Sequence, residues 1–175
     1  MKLKRIGFGQ VEPNHLSAQG NRQIYAQLPC ASDIEVLENG QFAKYDYANG
    51  EVNFDADSDL EYLLVLNEVK VYDERDTYKD FAMIKENYLN GEMYPRLFRT
   101  QVGDIYTTNC IGVANNDKRA TVTYNEEIGV GTDLTVNANG YLEIADSDAE
   151  GMIWRVVKVY TMPDGQDGVK IQRIK

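Results

Sequence analysis

The sequence has few of the residues that most often carry enzyme chemistry. Its 175 residues include one histidine, two cysteines and four prolines. His15 lies in an irregular stretch beside Pro13 and Asn14, where a solvated side chain is more common than a catalytic one. No serine stands in a nucleophile-elbow context, and neither cysteine has a neighbouring histidine to activate it. The sequence therefore predicts a protein that is not an enzyme and holds no cofactor.

Cys30 and Cys110 are isolated and lack Cys-x-x-Cys spacing. We interpret them as buried free thiols of a reducing compartment, with a disulfide as the alternative. Long apolar runs are also missing, since the longest, residues 62–66, suits a buried strand and is far too short to cross a membrane. The charged start, residues 1–7, has no apolar run behind it, so we expect no secretory signal.

Positive charge is scarce and lies mainly at the two ends of the chain. The net charge is −10, and the two tips contain six cations and no acid. Without those six, 12 of the 18 Lys and Arg remain against 28 Asp and Glu, a net charge of −16. Such an acidic body repels nucleic acid. The six cations are the predicted partner-binding residues, with frayed, solvated termini as the alternative: Lys2, Lys4, Arg5, Lys170, Arg173 and Lys175.

Turn residues between short alternating apolar runs predict a mainly β protein, an antiparallel barrel or sandwich of many short strands. One sequence pattern (the repeated phrase) occurs twice, and its matching parts are 90, 89 and 88 residues apart. We interpret the phrase as an internal duplication of a hairpin, an acidic loop and an apolar strand. Chance reuse of turn residues is the alternative. The copies run from Ala48-Asn49-Gly50 through Asp57-Ser58-Asp59 to Val69-Lys70-Val71-Tyr72, and from Ala138-Asn139-Gly140 through Asp146-Ser147-Asp148 to Val157-Lys158-Val159-Tyr160.

The chain divides into three predicted segments. Residues 1–33 are an extended arm with one short strand at 23–28, interrupted by glycine and proline. Residues 34–114 are a first β-rich half, in which three strands around Asn39-Gly40 and Asn49-Gly50 form a meander. One short helix is expected near 77–90, from a capping box at Thr77 and a glycine stop. Residues 115–175 are a second β-rich half.

Two acidic loops match part of the spacing of calcium-binding loops. The string from Asp55 to Asp59 has carboxylates at the first, third and fifth places, but Leu60 and Leu66 replace the glycine and glutamate that an EF-hand loop needs. The string from Asp146 has Gly151 at the sixth place and Val157 at the twelfth. We interpret both as solvated acidic loops, with weak calcium binding as the alternative.

Several phrases resemble small β-rich capsid-associated proteins of tailed bacteriophages, over roughly residues 34–175. The resemblance implies an auxiliary, cement or decoration protein, with the major capsid protein as partner, often a trimer and without catalytic activity. The phrases are Leu37-Glu38-Asn39-Gly40-Gln41-Phe42, Val102-Gly103-Asp104-Ile105-Tyr106-Thr107-Thr108-Asn109, Gly131-Thr132-Asp133-Leu134-Thr135-Val136, Asn139-Gly140-Tyr141-Leu142, Trp154-Arg155-Val156-Val157-Lys158-Val159 and Pro163-Asp164-Gly165.

The leading hypothesis is a structural virion protein that binds and stabilises a phage capsid shell. Its acidic body places it on the outer face, away from packaged DNA, after assembly in the host cytoplasm. Twelve tyrosines against five phenylalanines suit surfaces that are half buried by a partner, or equally half-buried strand faces. One alternative is a β-rich module that recognises a host receptor or carbohydrate. Another is a hydrolase with paired carboxylates facing each other across a cleft.

Overall fold

The computed structural model describes residues 9–12, 28–55, 60–67, 82–84, 94–112 and 127–175 as a mainly β protein. These ranges contain twelve strands in three antiparallel sheets, so the predicted mainly β class is confirmed. None of the described sheets closes into a barrel. The same ranges contain no helix, and hence no helix that is long and apolar enough to span a membrane.

The strands form sheets of six, four and two members. In chain order they are β1 (Val11–Glu12), β2 (Val36–Glu38), β3 (Phe42–Asp46), β4 (Glu51–Asn53), β5 (Leu63–Val65), β6 (Ala82–Ile84), β7 (Leu97–Phe98), β8 (Ile105–Thr108), β9 (Asp133–Val136), β10 (Leu142–Ile144), β11 (Trp154–Thr161) and β12 (Asp167–Arg173). The six-stranded sheet has the order β1-β8-β12-β11-β9-β10, the four-stranded sheet β4-β3-β5-β7, and β2 pairs with β6. The six-stranded sheet takes β1 from the first predicted segment and β8 from the second, so the division at residue 114 does not separate the sheets.

The four-stranded sheet is buried on both faces. Phe42 and Leu64, paired across β3 and β5, pack in one cluster with residues of the six-stranded sheet. Their neighbours Ala43 and Leu63 pack in a second cluster with Leu37 of β2. Successive residues of a strand point to opposite faces, so a strand between two cores has no polar face. The predicted burial of the apolar run around β5 is therefore confirmed.

Trp154 is the centre of the cluster between the six-stranded and four-stranded sheets. Its side chain is fully buried, and its ring centroid lies 5.0 Å from that of Tyr106 in a T-shaped contact and 5.9 Å from that of Phe42. Edge-to-face contacts of this kind add about 0.5–1.5 kcal/mol to the effect of area burial. Trp154 therefore holds β11 and β8 against β3.

A short buried segment, residues 38–42, crosses between the sheets. The Gly40 N–H donates to Val65 O (2.9 Å), the Val65 N–H donates to Gln41 O (2.8 Å), and the Phe42 N–H donates to Gly140 O (2.7 Å). The buried carboxylate of Glu38 accepts from the Gly9 N–H and from Tyr141 Oη. Every one of these partners is distant in sequence, so segment 38–42 joins parts of the chain that local folding cannot connect.

The predicted meander is wrong at its first turn. Asn39-Gly40 does not form a hairpin, because β2 pairs with β6 and leaves β3 to pair with β4 and β5. Gly40 has the positive φ of 97° that an Asn-Gly turn favours. Its position is also tight, since an added Cβ would lie 2.7 Å from Thr108 Oγ1 and 2.8 Å from Cys110 Cβ. The turn therefore serves close packing between sheets.

The two copies of the repeated phrase have the same local strand order. In the first, β3 lies between β4 and β5; in the second, β9 lies between β10 and β11, with all pairs antiparallel. The hairpin registers differ by one residue. The loop between the last paired residues is residues 47–50 in the first hairpin and residues 137–141 in the second, one residue longer. The shared order supports a duplication, although the two copies lie in different sheets. Their superposition stays a prediction. The apolar strand of the second copy is confirmed as β11.

The predicted helix near 77–90 is wrong where it is described. Ala82–Ile84 form β6, which pairs with β2 from Val36↔Ile84 to Glu38↔Ala82. A long-range strand partner has overridden the local helical pattern there. The other residues of the predicted helix lie outside the described ranges.

Part of the predicted N-terminal arm lies on the chain's own sheet. β1 adds to the edge of β8, and the Gln10 N–H donates to Asn109 Oδ1 (2.8 Å). In the predicted strand at 23–28, only Leu28 is described, and it lies outside the strands. The described residues of the arm therefore contact their own chain.

Both cysteines are buried, and neither forms a disulfide. Cys30 packs in the cluster beneath the two-stranded sheet, where burial and then the nearby charge of Glu51 raise its thiol pKa to about 12. A thiol with so high a pKa is a poor nucleophile at neutral pH.

We expect Gly140→Ala to lower the free energy of unfolding by about 3 kcal/mol, from a strained backbone and overpacking together. Gly140 has a φ of 76°, and an added Cβ would lie 2.2 Å from Phe42 O and 2.7 Å from the Phe54 ring. Gly50, its counterpart in the first copy, has a φ of 70° and open space around it. Gly50→Ala is therefore the matched control, with an expected loss of about 1–2 kcal/mol. Urea unfolding of both variants measures the difference, and equal losses would contradict the contact with Phe42.

Candidate interaction surface

The six-stranded sheet has one face in the core and one outer face. Val156, Val169 and Ile171 point inward and are buried. Four residues that pair across neighbouring strands alternate with that buried row and therefore point to the outer face. They are Lys158, Lys170, Thr107 and Glu12. The outer face thus carries a polar row across four strands, in which Thr107 is fully buried, Lys170 and Glu12 are half-buried and Lys158 is exposed.

A β-bulge in β11 places Lys158 on this face. The pairing shifts between Val156↔Ile171 and Lys158↔Lys170, which leaves Val157 as the extra residue. Strict alternation from buried Val156 would turn Lys158 into the core. With the bulge, Val157 and Lys158 are both exposed, and Val159 packs inward. Bulges commonly redirect a side chain near a functional surface.

The bulge sets two lysines directly opposite each other. Cβ atoms of such cross-strand pairs lie about 4.5–5.5 Å apart, and like charges placed there destabilise a sheet. Neither Lys158 nor Lys170 forms an ion pair with any residue in the described ranges. Lys158 Nζ lies 5.3 Å from the ring centroid of Tyr160, a cation–π contact. The Lys158/Lys170 pair is therefore a local concentration of positive charge.

On one side of the lysine pair lies Glu12, whose carboxylate is hydrogen-bonded to Tyr160. The Tyr160 hydroxyl donates to Glu12 Oε2, and this bond also fastens β1 to β11 across the sheet. Partial burial and then the bond to Glu12 raise the pKa of Tyr160. The Glu12 carboxylate is thus engaged by a neutral phenol at neutral pH.

On the other side of the lysine pair lies the salt bridge between Arg155 and Asp133. Arg155 Nε donates to Asp133 Oδ1 (2.7 Å) and Arg155 Nη2 to Asp133 Oδ2 (2.8 Å), a two-point contact between β11 and β9. The Arg155 hydrogen bond, opposed in part by desolvation, holds the pKa of the Asp133 carboxyl below its usual range. Both groups are exposed, so the contact fixes side-chain positions more than it stabilises the fold. The positive charge is thereby confined to a patch between two engaged acids.

The structure separates the predicted partner-binding residues. Lys170 lies on the outer face, and Lys175 is exposed at the end of the chain. Arg173 is only 13% exposed, and its Nη1 contacts Glu61 Oε1 (3.1 Å), Thr100 Oγ1 (3.0 Å) and Thr100 O. Arg173 therefore joins the six-stranded sheet to the segments around β5 and β7. Lys2, Lys4 and Arg5 lie outside the described residues.

Sequence reasoning missed Lys158. The signal was a phase change of the apolar residues in β11, from Trp154 and Val156 to Val157 and Val159. Such a change within one strand predicts a bulge, and a bulge alters which side chains face solvent.

The acidic loops show no metal centre where they are described. Asp146, Asp148 and Glu150 are exposed, and Asp148 accepts from the Ser147 hydroxyl (3.2 Å). Among the residues described, no group of three or more His, Cys, Asp or Glu side chains is arranged to hold a metal ion. Residues 56–59 of the first loop lie outside those ranges.

Comparison with known proteins found no match to a family model, a curated protein or a solved structure.

Replacing Arg173 by Gln should lower the free energy of unfolding by about 2 kcal/mol, since its bonds are charge-assisted and shielded from solvent. Arg99 binds the same Glu61 carboxylate, through its Nε (2.7 Å), but its side chain is 52% exposed. Arg99→Gln, the matched control, should cost no more than about 1 kcal/mol. Thermal and urea unfolding measure the two losses in the free energy of unfolding. A larger loss for Arg99→Gln than for Arg173→Gln would show that Arg173 does not join the sheets.

Lys170→Gln should raise the free energy of unfolding by about 0.2–1 kcal/mol at low salt, because it removes the like charge opposite Lys158. The gain should shrink at high salt, where the repulsion is screened. Lys175→Gln, which removes the same charge at the exposed end of the chain, serves as the control. A destabilised Lys170→Gln variant would mean that the two ammonium groups do not repel each other.

Proposed function

We propose that this chain is a structural virion protein without catalytic activity, which binds and stabilises the capsid shell of a tailed bacteriophage. The observation that carries the proposal is the outer face of the six-stranded sheet, with the Lys158/Lys170 pair at its centre. Broad sheet faces present side chains in fixed rows, which suits recognition of another protein surface.

The internal rigidity of the sheet supports a structural role. Its inner face packs on the cluster around Trp154, and Arg173 and segment 38–42 tie it to the other sheets. Side chains on a rigid element lose little freedom when a partner binds, which lowers the cost of association. Repetition over many copies on a shell would turn a weak single contact into high occupancy.

The shell is named from the sequence resemblance, and the charge distribution is compatible with it. An acidic body with a basic patch on the described sheet favours a protein partner over packaged DNA, and this supports a position on the outer face of the shell. The major capsid protein is the proposed partner, and the chain would act there as an auxiliary, cement or decoration protein.

Co-sedimentation tests the proposal. Shells assembled from the major capsid protein of the same phage are mixed with purified chain and pelleted. We expect saturable occupancy and a higher melting temperature of the occupied shells, because a ligand that binds the assembled state stabilises it. An unrelated acidic β protein of similar size is the control for trapping in the pellet. Absence of saturable binding would contradict the proposal, and binding to host cells or glycans instead would favour a receptor-recognition module.

A further inference from the structure

We infer that the Lys158/Lys170 pair is a docking site for a short acidic segment of a partner protein, one that places one or two carboxylates between neutral residues. This inference rests on the proposed binding function and specifies the chemistry of the bound segment.

The first argument is that no acidic residue in the described part of the chain neutralises the pair. The described part of the chain supplies no ion-pair partner to either lysine, although Asp and Glu outnumber Lys and Arg by 28 to 18 in the whole sequence. Two like charges are held face to face on adjacent strands, at a cost to folding. A feature that costs stability and has no ion-pair partner among the described residues is typical of a binding site.

The second argument is that the backbone is bent to create the pair. Without the bulge at Val157, Lys158 would not stand opposite Lys170 on the outer face. Exposed Val157, beside the pair, adds an apolar contact for the neutral part of a bound segment.

The third argument concerns the length and charge of the occupant. Glu12, held by Tyr160, lies on one side of the pair, and Asp133, held by Arg155, lies on the other. A long polyanion such as nucleic acid, lying across the strands, would approach Glu12 on β1 or Asp133 on β9. A segment with one or two carboxylates meets both lysines and stops short of both acids. Charge complementarity therefore favours an acidic protein segment over nucleic acid.

Two probes test the inference on the whole protein. The first is a short capped peptide with two aspartates separated by glycine, titrated at low salt while backbone amide shifts are recorded by NMR; the same peptide with asparagines is its control. We expect shifts at Lys158 and Lys170, absent with the asparagine peptide and suppressed by added salt. The second probe is a single-stranded oligonucleotide, for which we expect weaker binding than for the acidic peptide.

The variants are Lys158→Gln with Lys170→Gln, and Arg99→Gln, next to β7 of the four-stranded sheet, as a single-charge control on another sheet. The double variant should weaken peptide binding by about tenfold, and the control should leave it within about twofold. Thermal melts confirm that all variants fold. A double variant that binds the peptide as wild type does, or an oligonucleotide that binds more tightly than the peptide, overturns the inference.

Shell binding separates this inference from the proposed function. If wild type binds shells and the double variant does not, both stand. If the two bind shells equally, the inference fails and the proposed function stands. If wild type does not bind shells but binds the acidic peptide through the two lysines, the proposed function fails, and the site belongs to another acidic protein partner.

Discussion

The Phe42 N–H donates to Gly140 O at 2.7 Å, and the rest of the structure depends on the close approach that this bond requires. The bond joins the start of β3 to the turn between β9 and β10, and thus the four-stranded sheet to the six-stranded sheet. A side chain at Gly140 would occupy the space of the Phe42 carbonyl. On the neighbouring residues, Gln41 Nε2 donates to Asn139 O and Tyr141 Oη to Glu38 Oε1. Buried polar groups are tolerated at this junction because they have partners.

The neighbouring core follows a different rule. Tyr106 Oη and Trp154 Nε1 are buried within it, and neither has a hydrogen-bond partner in the part of the chain that is described. Burial raises the pKa of Tyr106 well above its usual value, so its hydroxyl stays neutral. The large apolar area of the two rings offsets the lost hydrogen bonds. The sheets are thus held by aromatic packing at their centre and by paired polar groups where the chain crosses between them.

This rigid frame has consequences for the outer face. Because Val156, Val169 and Ile171 are fixed in the core, the extra residue in β11 cannot be absorbed inward, and Lys158 is turned toward solvent beside Lys170. The engaged acids Glu12 and Asp133 then limit the positive patch at both sides. The proposed recognition of an acidic protein segment follows from this combination of a bulge, two lysines and two occupied carboxylates.

Local patterns in the sequence determined the β class, most turn positions, the two-sided burial of β5 and the partial exposure of Lys170, because alternation and turn chemistry act over a few residues. Only the tertiary structure decided which strands pair. Ala82–Ile84 form a strand because they pair with β2. The Asn39-Gly40 turn, predicted as a hairpin, lies instead where the chain passes between sheets. The tertiary structure also gave Arg173 a structural role through Glu61, 112 residues away, and set Lys158 opposite Lys170. Such contacts depend on which distant segments compete for the same edge or space, and no local pattern records that competition.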